Sequence, residues 1–134
     1  MLKYMLDTNI CIFTIKNKPQ PVREMFERQH GRLAISAVTL MELIYGAEKS
    51  SFPAKNLAVI EGFSARLEVL SYDEDAATHT GQLRAELARA GTPIGIGPYD
   101  QMISGHARSK GLILVTNNLN EFVRVPGLRV EDWT

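Results

Sequence analysis

Tyr4-Met5-Leu6-Asp7-Thr8-Asn9 is an apolar triplet that stops on an acid and passes at once into a helix-capping sequence. Apolar residues in an unbroken short run, without polar alternation, describe a strand covered on both faces, as in a parallel sheet. An Asp followed by Thr-Asn supplies the oxygen that the first free N–H groups of a helix require. The same pattern recurs along the chain. Leu33-Ala34-Ile35, Val69-Leu70, Leu112-Ile113-Leu114-Val115 and Leu128-Arg129-Val130 are further short apolar runs, each predicted to be a strand with both faces covered. Between them, apolar residues fall at helical spacing: Val22, Met25 and Phe26; Leu40, Leu43 and Ile44; Leu57, Ile60 and Leu67; Ala76, Thr80, Leu83 and Leu87; Ile103 and Ala107. Gly31, Gly91 and Gly111 stand where helices stop, Pro53 where one begins, and Asp73 where another is capped. Strand and helix therefore alternate, which implies an α/β fold with a mostly parallel central sheet and helices on both faces. Ligands of such sheets collect at the carboxyl ends of the strands.

Composition narrows the function. The chain has 134 residues, of which 45% are hydrophobic, and its 15 Lys and Arg balance its 15 Asp and Glu. A chain of this size buries roughly two-thirds of its unfolded surface, enough for one core. With no linker or internal repeat, residues 1–134 are expected to form a single domain. One cysteine, Cys11, excludes a disulfide framework and a multi-cysteine zinc site. No apolar run approaches the roughly 20 residues that span a bilayer, and no signal-peptide segment opens the chain, so a soluble cytoplasmic protein is expected. Zero net charge excludes a general nucleic-acid coat, so any nucleic-acid contact must be local.

Four acids occupy telling positions. Asp7 follows the first strand, Glu42 lies one turn into the helix after the second, Asp100 opens the helix before the fourth, and Glu121 follows the fourth. In a parallel sheet all four can meet at one edge, and no Lys or Arg stands beside Asp7 or Asp100. Gathered carboxylates repel, so either some hold protons or a cation lies among them. Oxygen donors without His or Cys favour Mg²⁺ or Mn²⁺ over zinc. Each acid also has a structural reading. Asp7 can be a helix cap, Thr39-Leu40-Met41-Glu42 matches a capping box, Asp100 complements a helix dipole, and Glu121 can be a solvated surface acid. Among cations, Lys16, Lys18, Arg84, Arg89, Arg108 and Lys110 are candidate phosphate contacts.

Other chemistry finds no footing. His30, His79 and His106 lack metal-ligand spacing, HExxH and a P-loop are absent, and Ser104 lies in no nucleophile elbow. Gly95-Ile96-Gly97 begins a dinucleotide fingerprint that Asp100 breaks. A phosphatase with Asp7 as nucleophile would want a second acid where Asn9 stands. His106, six residues after Asp100, reads either as facing the acids or as a satisfied core histidine.

Leu6-Asp7-Thr8-Asn9, Leu40-Met41-Glu42-Leu43-Ile44-Tyr45-Gly46-Ala47, Pro93-Ile94-Gly95 through Asp100 to Gln101-Met102-Ile103, and Val115-Thr116-Asn117-Asn118 leading to Glu121-Phe122 together resemble the PIN-domain ribonuclease toxins of the VapC type, over the whole chain. The resemblance implies a PIN-like three-layer α/β/α sandwich and a Mg²⁺-dependent endoribonuclease. It implies Asp7, Glu42, Asp100 and Glu121 as the catalytic acids, with Asp7 and Asp100 on the metal and with Asn118 and Thr116 as lesser candidates for the fourth place. Arg84, Arg108 and Lys16 are expected to contact RNA. The family further implies a homodimer, a VapB-type antitoxin that blocks the cleft in a toxin–antitoxin hetero-oligomer, no membrane, and initiator tRNA cut near the anticodon as substrate. One departure stands out: Pro93-Ile94-Gly95-Ile96-Gly97-Pro98-Tyr99-Asp100 repeats the Ile-Gly dipeptide ahead of Asp100. The chain is expected to loop out the extra Ile96-Gly97 and keep Asp100 in place with reduced activity. The alternative reading is a catalytically weak PIN domain that acts mainly by binding its antitoxin.

Overall fold

The structure is a computed structural model that describes residues 1–91 and 96–134. Among the described residues twelve elements follow one another: β1 (Tyr4–Leu6), α1 (Thr8–Ile15), α2 (Gln20–Arg28), β2 (Leu33–Ser36), α3 (Ala37–Glu48), α4 (Pro53–Ser64), β3 (Glu68–Leu70), α5 (Glu74–Arg89), α6 (Pro98–Ser109), β4 (Ile113–Val115), α7 (Leu119–Phe122) and β5 (Val130–Glu131). The five strands pair in the order β3-β2-β1-β4-β5, and every pairing is parallel.

Alternation along each strand divides the core in two. Tyr4 and Leu6 point with Leu33, Ile35, Ile113 and Val115 into one cluster, which α1 to α4 close with Ile10, Val22, Phe26, Leu43 and Phe63. Met5, Ala34 and Leu114 point the other way, against Leu83, Leu87, Ile103 and Ala107 of α5 and α6. The result is the expected three-layer α/β/α sandwich. At its edge, Trp133 packs edge-on to Tyr4 at 5.1 Å. The backbone takes positive φ at Gly31 (86°) and Gly111 (66°), where α2 and α6 turn back toward strands, a conformation that a side chain disfavours.

Several expectations shift. β3 is an edge strand with Glu68 and Val69 exposed, so its faces are not both covered. Leu67 falls beyond α4, which closes at Ser64. The last strand is Val130–Glu131 rather than a run from Leu128. The capping box does not form: α3 begins two residues ahead of Thr39, and the cap is Ser36, whose Oγ accepts from the Val38 N–H at 3.1 Å. Thr39 is a buried helical residue instead.

The doubled Ile-Gly lies partly outside the described residues, since Pro93, Ile94 and Gly95 belong to 92–95. Its second copy is described, and it is not looped out. Ile96 is buried in the α5–α6 core, its carbonyl accepts from Gln101 Nε2 at 3.3 Å, and Gly97 is the N-cap residue of α6. Asp100 thus sits in the first turn of a helix whose entry is anchored.

Helices α5 and α6 meet at Gly105. A Cβ there would lie 2.7 Å from the Thr80 backbone, a distance that forces the helices apart. Gly105→Ala is therefore expected to destabilise the fold by about 1–3 kcal/mol, read as a lowered urea midpoint. An unchanged midpoint would show that the two helices can separate at no cost.

Candidate active site

Asp7 ends the central strand and starts the first helix. Its N–H donates to Val115 O at 3.0 Å, which continues the pairing with β4, while its Oδ1 accepts from the Ile10 N–H at 2.9 Å as the cap of α1. The Thr116 hydroxyl, itself accepting from the Asn118 N–H at 3.0 Å, donates to the same carboxylate. Glu42 enters from α3, and Thr8 Oγ1 donates to its Oε1 at 2.8 Å. Asp100 arrives on the first turn of α6. These three acids, with Thr8, Asn9, Asn118 and Phe122, line one cavity of about 170 Å³ at the carboxyl edge of the sheet.

The capping reading of Asp7 is true without being complete. A cap is ordinarily solvated, whereas Asp7 is 4% exposed and has two like charges nearby. Burial pushes its pKa up to about 6, against the hydrogen bonds from Thr116 and Ile10, with Asp100 and Glu42 adding to the rise. Burial, then the charge of Glu42, also raises Asp100. Among the described residues no Lys, Arg or His lies within ion-pair distance of Asp7, Glu42 or Asp100.

A hard divalent cation fits this donor set. All the donors are oxygens, and three of them are carboxylates whose charge no cation among the described residues compensates. Among the described residues no three His, Cys, Asp or Glu groups cluster closely enough to enclose an ion by themselves.

Glu121 is not among the residues that line the cavity. It sits on α7 with its Oε2 3.9 Å from Arg124 Nη1, and Asn118 occupies the cavity wall in its stead. Glu121 lies in the first turn of α7, three residues after its N-cap Asn118, and spacing along the sequence alone did not reveal which of the two would line the cavity. Arg108, expected to contact RNA, is engaged within the fold. Its guanidinium donates to His79 Nδ1 (3.0 Å), His79 O (3.2 Å), Gln82 Oε1 (3.0 Å) and Pro126 O (2.8 Å), so it clamps α5 and the β5 approach onto α6. Arg84 and Lys16 are exposed. Lys16 borders a second concavity of about 300 Å³, lined mainly by Ile12, Ile15, Leu43, Ala47, Val59 and Ile60, which shares Glu42 with the acidic cavity. His106 does not face the acids; it is buried against Ser36.

A wholly parallel sheet with an acid-lined cavity at its carboxyl edge, fed by one carboxylate each from a central strand's end and two helices, places the chain among α/β proteins built around an acidic centre. Comparison with known proteins narrows the class. A family model described as the PIN domain matches residues 4–128. The tRNA(fMet)-specific endonuclease VapC of Shigella flexneri is 71% identical over 134 residues, the whole of both chains. Its namesake from Salmonella typhimurium (strain LT2) is 69% identical over 99% of each. A crystal structure of DNA-bound VapBC from Salmonella typhimurium superposes with a TM-score of 0.94 at 69% identity, covering both chains completely. The chain belongs to the PIN-domain family, in its VapC branch.

Charge burial at Asp7 has a stability consequence. The folded chain keeps the Asp7 proton up to about pH 6, whereas the unfolded chain releases it near 3.8. Stability therefore falls as pH rises from 3.8 through 6, and the ionised group costs up to roughly 3 kcal/mol at pH 7 and above. Asp7→Asn keeps the capping oxygen without the charge. Without added metal, it is expected to raise unfolding free energy at pH 7.5 by about 1–3 kcal/mol, with the gain vanishing at pH 4. Destabilisation at both pH values would contradict the charge-burial account.

Proposed function

We propose that this chain is a divalent-metal-dependent endoribonuclease, the toxin of a VapBC-type toxin–antitoxin pair, and that it cuts initiator tRNA near the anticodon. The observation that carries the reading is the cavity in which Asp7, Glu42 and Asp100 stand together with no counter-charge among the described residues. Substrate choice leans on the 71% identical relative, whose name is tRNA(fMet)-specific endonuclease VapC.

In this reading Asp7 and Asp100 hold Mg²⁺, with Mn²⁺ as the related alternative. When bound, the cation supplies positive charge against the phosphodiester and acidifies a water. Glu42, oriented by the Thr8 hydroxyl, takes the proton of the attacking water. Asn118 suits the fourth position better than Glu121, because it lines the cavity and its amide can orient a water or a phosphate oxygen. Glu121 then acts from outside, through Arg124. Lys16 and Arg84 are the exposed cations left to meet the RNA backbone, where shape recognition needs only a local patch.

The partner is a VapB-type antitoxin with an apolar segment for the groove beside the cavity. Lys16 and Glu42, at opposite signs on the groove's lining, give that segment a polar register. A homodimer of the chain and a hetero-oligomer with the antitoxin complete the assembly. No described helix is long and apolar enough to cross a membrane, and action in the cytoplasm follows from the substrate.

The deciding experiment incubates the purified chain with initiator tRNA, elongator tRNAs and ribosomal RNA, with Mg²⁺ or EDTA. Discrete cuts in initiator tRNA that vanish with EDTA are expected. Asp7→Asn and Asp100→Asn should each lower the rate at least about a hundredfold, whereas Glu121→Gln should stay within about fivefold of the parent. No cleavage of any RNA, with antitoxin binding retained, would transfer the function to a binding module.

A further inference from the structure

Three like charges in one cavity push the elements that carry them apart, so the spacing of those elements has to be enforced from beneath. Asp7 is held directly by Thr116 and Ile10, and Glu42 by Thr8. Asp100 has no hydrogen-bond donor among the described residues, so its position is only as good as that of α6. Glu42, whose charge raises the pKa of Asp100, rides on α3.

One hydrogen bond joins those two helices at their base. His106 Nδ1, on α6, lies 2.7 Å from Oγ of Ser36, the residue that caps α3, and both side chains are 0% exposed. We propose that His106 is a positioning residue for the acidic cavity: through its bond to Ser36 it ties the helix that carries Asp100 to the start of the helix that carries Glu42. This rests on the nuclease reading of that cavity.

The ring is built to hold a direction. Ser36 Oγ already accepts from the Val38 N–H, so its own proton is available to Nδ1, which places the ring proton on Nε2 in a neutral imidazole. Burial, which lowers the ring's pKa, keeps it neutral at pH 7. Tyr72 stacks edge-on against the imidazole at 5.6 Å and 87°, and its hydroxyl donates to Thr80 Oγ1 at 2.7 Å. Thr80 is the residue that Gly105 touches, so the ring is braced where α5 and α6 are closest. A core histidine needed only to fill space would be served by an apolar ring. This one directs Nδ1 to the Ser36 hydroxyl, and the Ser71 backbone also interacts with the ring, so its polar atoms are used rather than merely tolerated.

The test separates positioning from stability. His106→Phe keeps the ring and its contact with Tyr72 but removes Nδ1; Ser36→Ala removes the other partner; His106→Gln and Ser36→Thr each keep a polar group that can restore the bond. Phe26→Leu, in the opposite core cluster, serves as a control for stability loss alone. Each full-length protein is assayed for kcat and KM on initiator tRNA, for Mn²⁺ binding by calorimetry, and for thermal unfolding. His106→Phe and Ser36→Ala should each lower kcat and weaken Mn²⁺ binding about tenfold, with KM for RNA almost unchanged. Their double variant should be no worse than Ser36→Ala, which also removes the acceptor of the Val38 N–H, because the bond between Ser36 and His106 is lost only once. The Gln or Thr variant should recover most of the loss, which also keeps the test decisive if His106→Phe folds poorly. Effects that merely track the folded fraction, as in Phe26→Leu, or that add in the double variant, would overturn the proposal. Absence of metal-dependent cleavage by the unaltered chain would overturn the nuclease reading instead.

Discussion

A carboxylate that is 4% exposed, with two more carboxylates as neighbours, must be held against both lost hydration and repulsion, and the position of β1 at the centre of the sheet is what does so. Flanked by β2 and β4, the strand ends where Val115 O can take the Asp7 N–H and Thr116 can reach its side chain. Both partners come from the β4 side, while β2 pairs the strand's other edge. The next residues turn into α1, whose first free N–H groups supply positive potential where the negative charge is greatest. Strand order, helix start and acid placement are thus consequences of one requirement.

That requirement also explains why the architecture could be read from residues in order. Strand and helix alternate, parallel pairing sends every strand the same way, and an acid just after a strand must then share an edge with acids that follow other strands. Asp7 and Glu42 follow strands, Asp100 opens the helix that leads into β4, and the structure brings the three to one cavity. What resisted reading depends on neighbours distant in sequence. Thr39 and Glu42 spell a capping box, but Ser36 captures the helix start earlier because its hydroxyl serves α3 and His106 together. Glu121 and Asn118 differ by less than one helical turn, and only the turn of α7 decides which of them lines the cavity. Arg108 looks like any exposed cation until His79, Gln82 and Pro126, some 18 to 29 residues away, close around it. The described part of the repeated Ile-Gly yields to packing in the same way: Ile96 finds a core vacancy that outweighs the convenience of a bulge.

Buried charge and catalytic readiness are two descriptions of one arrangement. Raised pKa values at Asp7 and Asp100 mean that the folded chain bears an unfavourable energy in the absence of a cation, and a cation that relieves it gains that energy as binding affinity. Rigidity of the frame decides how much is recovered. If the helices could separate, the carboxylates would relax apart, the strain would dissipate into structure, and less would remain for the ligand.

The groove beside the cavity extends this economy to regulation. Glu42 belongs to both concavities, so an occupant of the apolar groove necessarily approaches a carboxylate that the proposed chemistry uses. A partner that buries apolar residues against Ile12, Leu43 and Ile60 and presents a cation toward the acids would gain twice, from apolar area and from neutralising uncompensated charge. The same lack of a counter-charge that prepares the cavity for metal therefore prepares it for inhibition. A substitution that weakened one by adding a permanent cation would weaken the other, and the two activities are for that reason bound to the same three acids.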